Sequence, residues 1–436
     1  MHRDSLAVVL CLSCLCTGSV PGARGLEQPP SPPETVDPED GPEDREARPI
    51  GPFFVGYENE PAMDAGGRLT AAIQSSAGGL LNRELSEPAV AAAWEVPLAL
   101  LVSVAQHEVF GHGGRAREHD LGPSYGAGFD FTFYTTIDRD PESNLVNSLL
   151  AAGGVEPTGI QARRILLDAM SLRGTEGSLV PLMLFSKLDL TLYVSQTEEP
   201  EAPTDGEDPF RDSFVEGNDM AIYLVSRQGA RVGADPSAIW NRDYRIDYSD
   251  PLLDETFDGL REAALWNLLD PAVVMTAIGY FGQHLARGEH RVRTPGLDLG
   301  RSMRLLAGTR SRLGPGEISR FLDLYLATPW GVVDLYIRDL DSGMETTEGL
   351  GLGLHRIPLG PDLLVSLQGD VWDEPEAGER TEARSGAWHG SIELDWMVAD
   401  RWGLSAKAGS KSEGFFPGAP LEEGTYGAFG ILVQLR

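Results

Sequence analysis

The sequence predicts an α+β protein: a mainly helical domain over residues 51–300, then an antiparallel β-meander over residues 301–436 that forms a curved sheet or part of a barrel. Two changes of pattern predict it. Up to about residue 300, apolar residues recur at helical spacing, as in Leu260, Ala264 and Leu268. Beyond it they alternate with period two, as in Ser391-Ile392-Glu393-Leu394-Asp395-Trp396. Seven such runs follow one another with short polar connections, which suits hairpins between sequential strands.

The 436-residue chain has room for two or three domains at ~150 residues each, and its 42% apolar content excludes wholesale disorder. With 66 Asp and Glu against 35 Lys and Arg, the net charge is −31. That balance argues against a nucleic-acid partner, which requires a basic footprint to displace counterions from phosphates. Three acidic stretches, 26–50, 198–212 and 370–382, carry −17 of that charge. The acidity therefore belongs mostly to a tail and two loops.

Taken in order, Met1-His2-Arg3 is a short basic start, Leu6 to Cys16 an apolar run, and Ala23-Arg24-Gly25 a small-residue cleavage site, so residues 1–25 read as a secretory signal peptide. Its removal takes Cys11, Cys14 and Cys16, which excludes disulfides and cysteine-ligated zinc from the mature chain. Acylation of one of these cysteines is the rival reading, although Cys11-Leu12-Ser13 before Cys14 matches a lipoprotein signal poorly. An exported protein of the bacterial envelope follows, placed in the periplasm or at the outer membrane or cell surface. Residues 26–50, with seven prolines among eight acids, read as a stiff, disordered linker.

The helical domain opens near Gly51-Pro52. Ala89 to His112 reads as a buried core helix with Pro97 at a kink or first turn; Glu95, Pro97 and Gln106 leave fewer than the ~20 clean apolar residues of a membrane span. A helix from Glu156 to about Leu172 turns Ile160, Ile165, Leu166 and Met170 inward and Arg163, Arg164 and Asp168 outward. Another runs from Asp219 to about Arg227, and residues 258–286 form one or two helices broken near Asp270-Pro271. The strand runs lie at 320–327, 331–338, 349–356, 362–371, 391–396, 404–408 and 424–435, with Ala399-Asp400-Arg401 as a hairpin turn. The stretch from Gly414-Phe415-Phe416 to Leu435 is similar to the closing strands of bacterial outer-membrane barrels, with Arg436 in place of the usual final aromatic residue. Seven strands close an even-numbered barrel only if others join from elsewhere in the chain.

The chemistry concentrates at His107-Glu108-Val109-Phe110-Gly111-His112, followed by Gly113-Gly114. A zinc hydrolase places two imidazoles on one metal beside a carboxylate that takes a proton from the metal-bound water. A step of five residues rotates ~500° on a regular helix and leaves the rings ~140° apart, so both face one ion only if the extra residue is absorbed locally, as in a π-bulge near Gly111. Gly113-Gly114 then suit a helix end just past the site.

These residues and Gly113 resemble the His-Glu-x-x-Gly-His-Gly signature of the dipeptidyl-peptidase III zinc peptidases over about eight positions. The resemblance implies a metallopeptidase-like helical domain, Zn2+ as cofactor, His107 and His112 as metal ligands, Glu108 as general base, and a third glutamate ligand from a later helix. Glu156 is the first choice for that ligand, at a helix start behind Gly153-Gly154, and Glu216 is the second. Glu118 and His119 lie past the expected helix break. Donors for an oxyanion include Tyr125, Tyr134, Arg115, His284 and His290, and the alternation of Phe129, Phe131 and Phe133 with Asp130 and Thr132 suggests an extended edge near the site.

The expected function is that of an exported zinc-dependent metallopeptidase, or peptidase-like metallohydrolase, acting on a peptide or protein substrate. The alternative is an outer-membrane or surface β-barrel-like structural protein with a structural or vestigial metal site. Under that alternative the faces bearing Asp334, Tyr336, Arg338, Glu393 and Asp395 must point away from lipid.

Overall fold

A computed structural model describes residues 52–59, 61–84, 88–128, 133–203, 207–293, 296–343, 345–376, 384–399 and 402–434. The signal segment and acidic linker expected at residues 1–50 lie outside the described residues, as do Phe129, Phe131, Asp400 and Arg401.

Strand β1 (Pro52–Glu58) opens the described chain, and helix α1 (Met63–Glu84) follows. The apolar run beyond it folds as α2 (Pro88–Ala105), continues as a π-helical turn (Gln106–His112), and returns to α-helix in α3 (Gly113–Glu118). The expected stop at Gly113-Gly114 is therefore corrected. These glycines make room for neighbours: a Cβ on Gly113 would lie 2.2 Å from the Tyr125 hydroxyl, and one on Gly114 2.6 Å from the Pro61 carbonyl. A hairpin of β2 (Pro123–Ala127) and β3 (Phe133–Ile137) precedes α4 (Asn144–Gly153) and α5 (Val155–Ser171). After the short β4 (Gly174–Glu176) come α6 (Leu179–Ser195), α7 (Pro209–Glu216), α8 (Asp219–Val232) and α9 (Pro236–Trp240). Helices α10 (Pro251–Leu268) and α11 (Pro271–Gly279) break at Asp270-Pro271 as expected, because Asp270 caps α11 by accepting the Ala272 N–H and Pro271 takes the first position.

The remaining chain is an up-and-down meander: β5 (Arg291–Arg293) pairs with β4, and β6 (Leu297–Gly300) starts the large sheet. Next come β7 (Met303–Leu313), β8 (Ile318–Thr328), β9 (Gly331–Asp341) and β10 (Thr346–Pro358). The last four strands are β11 (Leu363–Glu374), β12 (Arg384–Ala399), β13 (Trp402–Lys411) and β14 (Gly424–Gln434). All seven expected runs are strands, and β6 and β7 add two before them. Strand β1 joins antiparallel to β14, giving a ten-stranded sheet in the order β1-β14-β13-β12-β11-β10-β9-β8-β7-β6 that does not close. The described residues fall in one compact unit, so the boundary near residue 300 marks a change of element type inside a single body.

Helix α5 crosses the concave side of this sheet. Its apolar residues Ile165, Leu166 and Met170 pack with Leu179, Leu182 and Met183 of α6 in a helical core. The polar side, expected to face water, instead meets the sheet: Arg163 pairs with Asp334, Arg164 with Glu393 (2.6 Å), and Asp168 with His355 (3.1 Å). Arg68 of α1 adds pairs to Glu393 and Asp395, at 3.2 and 3.1 Å. The strand face bearing Asp334, Tyr336, Arg338, Glu393 and Asp395 thus points towards the helices. Long cations from α1 and α5 bridge the gap that apolar side chains fill in an ordinary helix-on-sheet layer.

Candidate metal centre

The π-helical turn answers the geometric problem set by the five-residue spacing. Widening the helix at Gln106–His112 absorbs the extra residue, and His107 and His112 face each other with their Nε2 atoms 3.1 Å apart. Gly111 serves this turn differently from the expectation that it eases backbone widening: a Cβ there would come within 2.5 Å of the Gly153 carbonyl oxygen. Gly154 lines the centre itself, since its Cβ would fall 2.2 Å from His107 Nε2 and 2.6 Å from His112 Nε2. The close approach of α4 and α5 to the π turn therefore requires glycine on both sides.

Asp219, the first residue of α8, supplies the third corner. One of its oxygens lies 3.3 Å from His107 Nε2 and 3.1 Å from His112 Nε2. The ligand atoms of His107, His112 and Asp219 all lie within 4.8 Å of one another, a group able to hold a metal ion. Burial alone would raise the Asp219 pKa; the His112 imidazole and hydrogen bonds from both histidines hold it below the usual carboxylate range.

The outer nitrogens decide which way the lone pairs point. His112 Nδ1 lies 2.7 Å from the Leu150 carbonyl, which can only accept, so Nδ1 carries a proton and a neutral ring presents a bare Nε2 to the centre. His107 Nδ1 lies 2.8 Å from Asp189, which fixes that ring the same way, and Asp189 is itself anchored by the Thr158 hydroxyl at 2.9 Å. Two lone pairs and a carboxylate oxygen then converge in a buried space, an arrangement that calls for a cation between them. Tyr193 lies flat on His107, with ring centroids 4.7 Å apart and planes 7° off parallel. Burial, with Asp219, Asp189 and Glu108 nearby, pushes its phenol pKa well above the ordinary value, so its proton stays on.

Glu108 is buried next to His107, and its carboxylate accepts a 2.8 Å hydrogen bond from the Thr135 hydroxyl on β3. The β2–β3 hairpin thus closes over the motif, although Phe133 and Tyr134 are the parts of the expected aromatic edge that it contributes.

The structure does not gather every residue expected at the site. Glu156, the first choice for third ligand, is fully buried against Arg115: Arg115 Nε donates to it at 2.8 Å, Arg115 Nη2 pairs with its other oxygen, and the Gly418 amide donates at 2.7 Å. A buried guanidinium demands a carboxylate, and that demand turns Glu156 from the imidazoles. Arg115 also bonds Glu118 and the Ala419 carbonyl, which engages it structurally. Glu216 ends α7 on the surface, three residues before the acid that reaches the histidines. Tyr134 is half exposed and packs over Gly126, Tyr125 bonds Arg117, and His284 pairs with Glu95 at 3.1 Å. Asp219 and Tyr193 carried no distinguishing signal of their own; only their placement by α8 and α6 brings them to the motif.

Comparisons with family models, with curated proteins and with solved structures returned no match.

Proposed function

We propose that the protein is a zinc-dependent metallohydrolase acting on peptide or protein substrates, with His107, His112 and Asp219 as ligands and Glu108 as general base. The observation that carries this reading is the convergence of two Nε2 lone pairs and a carboxylate oxygen, each imidazole oriented from behind by an acceptor. Two nitrogens and one carboxylate leave a fourth position open, the donor set of catalytic zinc. A bound zinc would supply Lewis acidity and lower the pKa of a water towards ~7. Glu108, held by Thr135, takes the proton from the attacking water and returns it to the leaving amine. Tyr193, its phenol kept protonated, donates to the developing oxyanion.

The decisive test is elemental analysis of the purified full chain beside the variants His112→Ala and Asp219→Ala. About one zinc per chain, lost in both variants, is expected. Stoichiometric iron in place of zinc would redirect the reading to redox chemistry, which the same ligand types serve. Metal-free protein would end it.

A further inference from the structure

We propose that the convex face of the large sheet is a lipid-contact surface, covered by the acyl chains of a bilayer. In a soluble helix-on-sheet protein the strand face under the helices is apolar and the outer face polar. Here the order is reversed, and the strand register shows how completely. One row of outward side chains across neighbouring strands reads Leu322, Ile337, Leu350, Val371 and Trp388. Two residues further along, the row reads Leu324, Leu335, Leu352, Gly369 and Gly390, and the next Leu326, Val333, Leu354, Leu367, Ile392 and Ala408. Beyond these come Val365, Leu394, Ala406 and Phe429, then Leu363, Trp396, Leu404 and Ile431. Not one of these five rows holds a charge. Most of the large side chains in them are exposed, Phe429 at 64% and Ile337 at 56%.

The band has edges. Immediately before the first row lie Arg320, Asp339 and Glu348, neighbours across three strands, with Arg320 paired to Asp339 at 3.2 Å and Asp341 at 3.0 Å. At the opposite end Trp330, Trp396 and Trp402 are all exposed. Five rows two residues apart span about 27 Å of strand at ~3.4 Å per residue, the scale of the ~25 Å apolar band on outer-membrane strands, whose borders are likewise rimmed by aromatics. The one cation that the strand alternation would threaten to expose is withdrawn: at the irregularity between Leu354 and Ile357, Arg356 takes a φ of 54° and reaches inward to Asp168 at 3.4 Å.

The helices that pack beside the sheet continue the band. Trp94 and Leu101 are exposed on α2, Leu265 and Leu269 at the end of α10, and Val274 and Ile278 on α11. By length and composition Val90–Glu118 can cross a membrane, and so can Pro251–Leu268 with Pro271–Leu285 taken together, bent by 41°. A patch of this extent, neutral throughout, edged by charge on one side and tryptophan on the other, fits hydrocarbon rather than a protein surface.

The test reconstitutes the full chain into phosphatidylcholine vesicles whose acyl chains are brominated. Tryptophan emission should be quenched, less so in the Trp388→Phe/Trp396→Phe double variant, and equally in Trp372→Phe, whose ring faces inward and is buried. Leu352→Arg should lower the vesicle-bound fraction about 30-fold or more, whereas Glu348→Arg at the rim should leave it within about two-fold. If Leu352→Arg fails to fold, the quenching series decides alone. A chain that is monodisperse in detergent-free buffer and unquenched by brominated lipid overturns the proposal, and a detergent-free dimer that resists quenching overturns it in favour of a second copy of the chain.

Discussion

The two halves of the molecule solve the burial of charge in opposite ways. Around the metal centre, a few polar groups are sunk into an apolar helical core and each is matched to one partner: His107 to Asp189, His112 to the Leu150 carbonyl, Arg115 to Glu156. Along the sheet, the entire concave face is ionic, and it is held by a lattice of cations and carboxylates running from Arg68 and Arg164 through Glu393 to Asp334 and Arg163. The first arrangement aims charge at a point, which suits chemistry. The second spreads it over a surface, which suits adhesion between layers when apolar area is needed elsewhere.

That contrast can be broken most sharply at the point-like end. Replacing Glu108 by Gln keeps the ligands and the Thr135 bond but removes the base, and peptide hydrolysis should fall by about 10²–10⁴-fold with zinc content unchanged. Unchanged turnover would remove Glu108 from the mechanism. On the sheet side, Glu393→Ala leaves Arg68 and Arg164 without their shared carboxylate. Denaturation of the variant should show a loss of about 3–5 kcal/mol, while the metal content of its folded fraction stays at the wild-type level. Tyr193→Phe should lower kcat by about 10²-fold with little change in KM if the phenol meets the oxyanion; an effect confined to KM would reassign it to substrate binding. Asp189→Asn keeps a hydrogen-bond acceptor behind His107 but drops the charge, and a competitive chelator titration should report zinc affinity lowered by about 10–100-fold. The smallest effect is expected from Glu348→Gln at the edge of the apolar band, within about 0.5 kcal/mol in stability.

How far the sequence foretold these two halves depends on whether the information was local. The five-residue histidine spacing demanded a widened turn, and the π helix at Gln106–His112 meets that demand because helical rotation per residue is a property of the backbone alone. The identity of the third acid was not local. Glu156, Glu216 and Asp219 all sit at helix ends, where a carboxylate has an ordinary reason to be, and which of them reaches the imidazoles is settled by Arg115 claiming Glu156. A buried arginine four residues from Gly111 was the available hint, but its burial is visible only once α5 and the 412–423 connection close over it. On the sheet, the alternation of Asp334, Tyr336 and Arg338 with apolar neighbours located the strands correctly. Which parity turns inward is not encoded by period two, and reading α5 as an ordinary amphipathic helix put Arg163, Arg164 and Asp168 on the wrong side.

The π turn also fixes what can be changed upstream and downstream of it. One added residue rotates everything after it by ~100° relative to an unbroken α-helix, and α3 inherits that rotation. Arg115 meets Glu156 only in the rotated frame. Deleting Val109 or Phe110 to create the commoner four-residue histidine spacing would therefore swing Arg115 off its carboxylate even as it restored a familiar motif. The insertion and the buried ion pair are locked to each other, so a chain built this way cannot drift to the shorter motif one residue at a time.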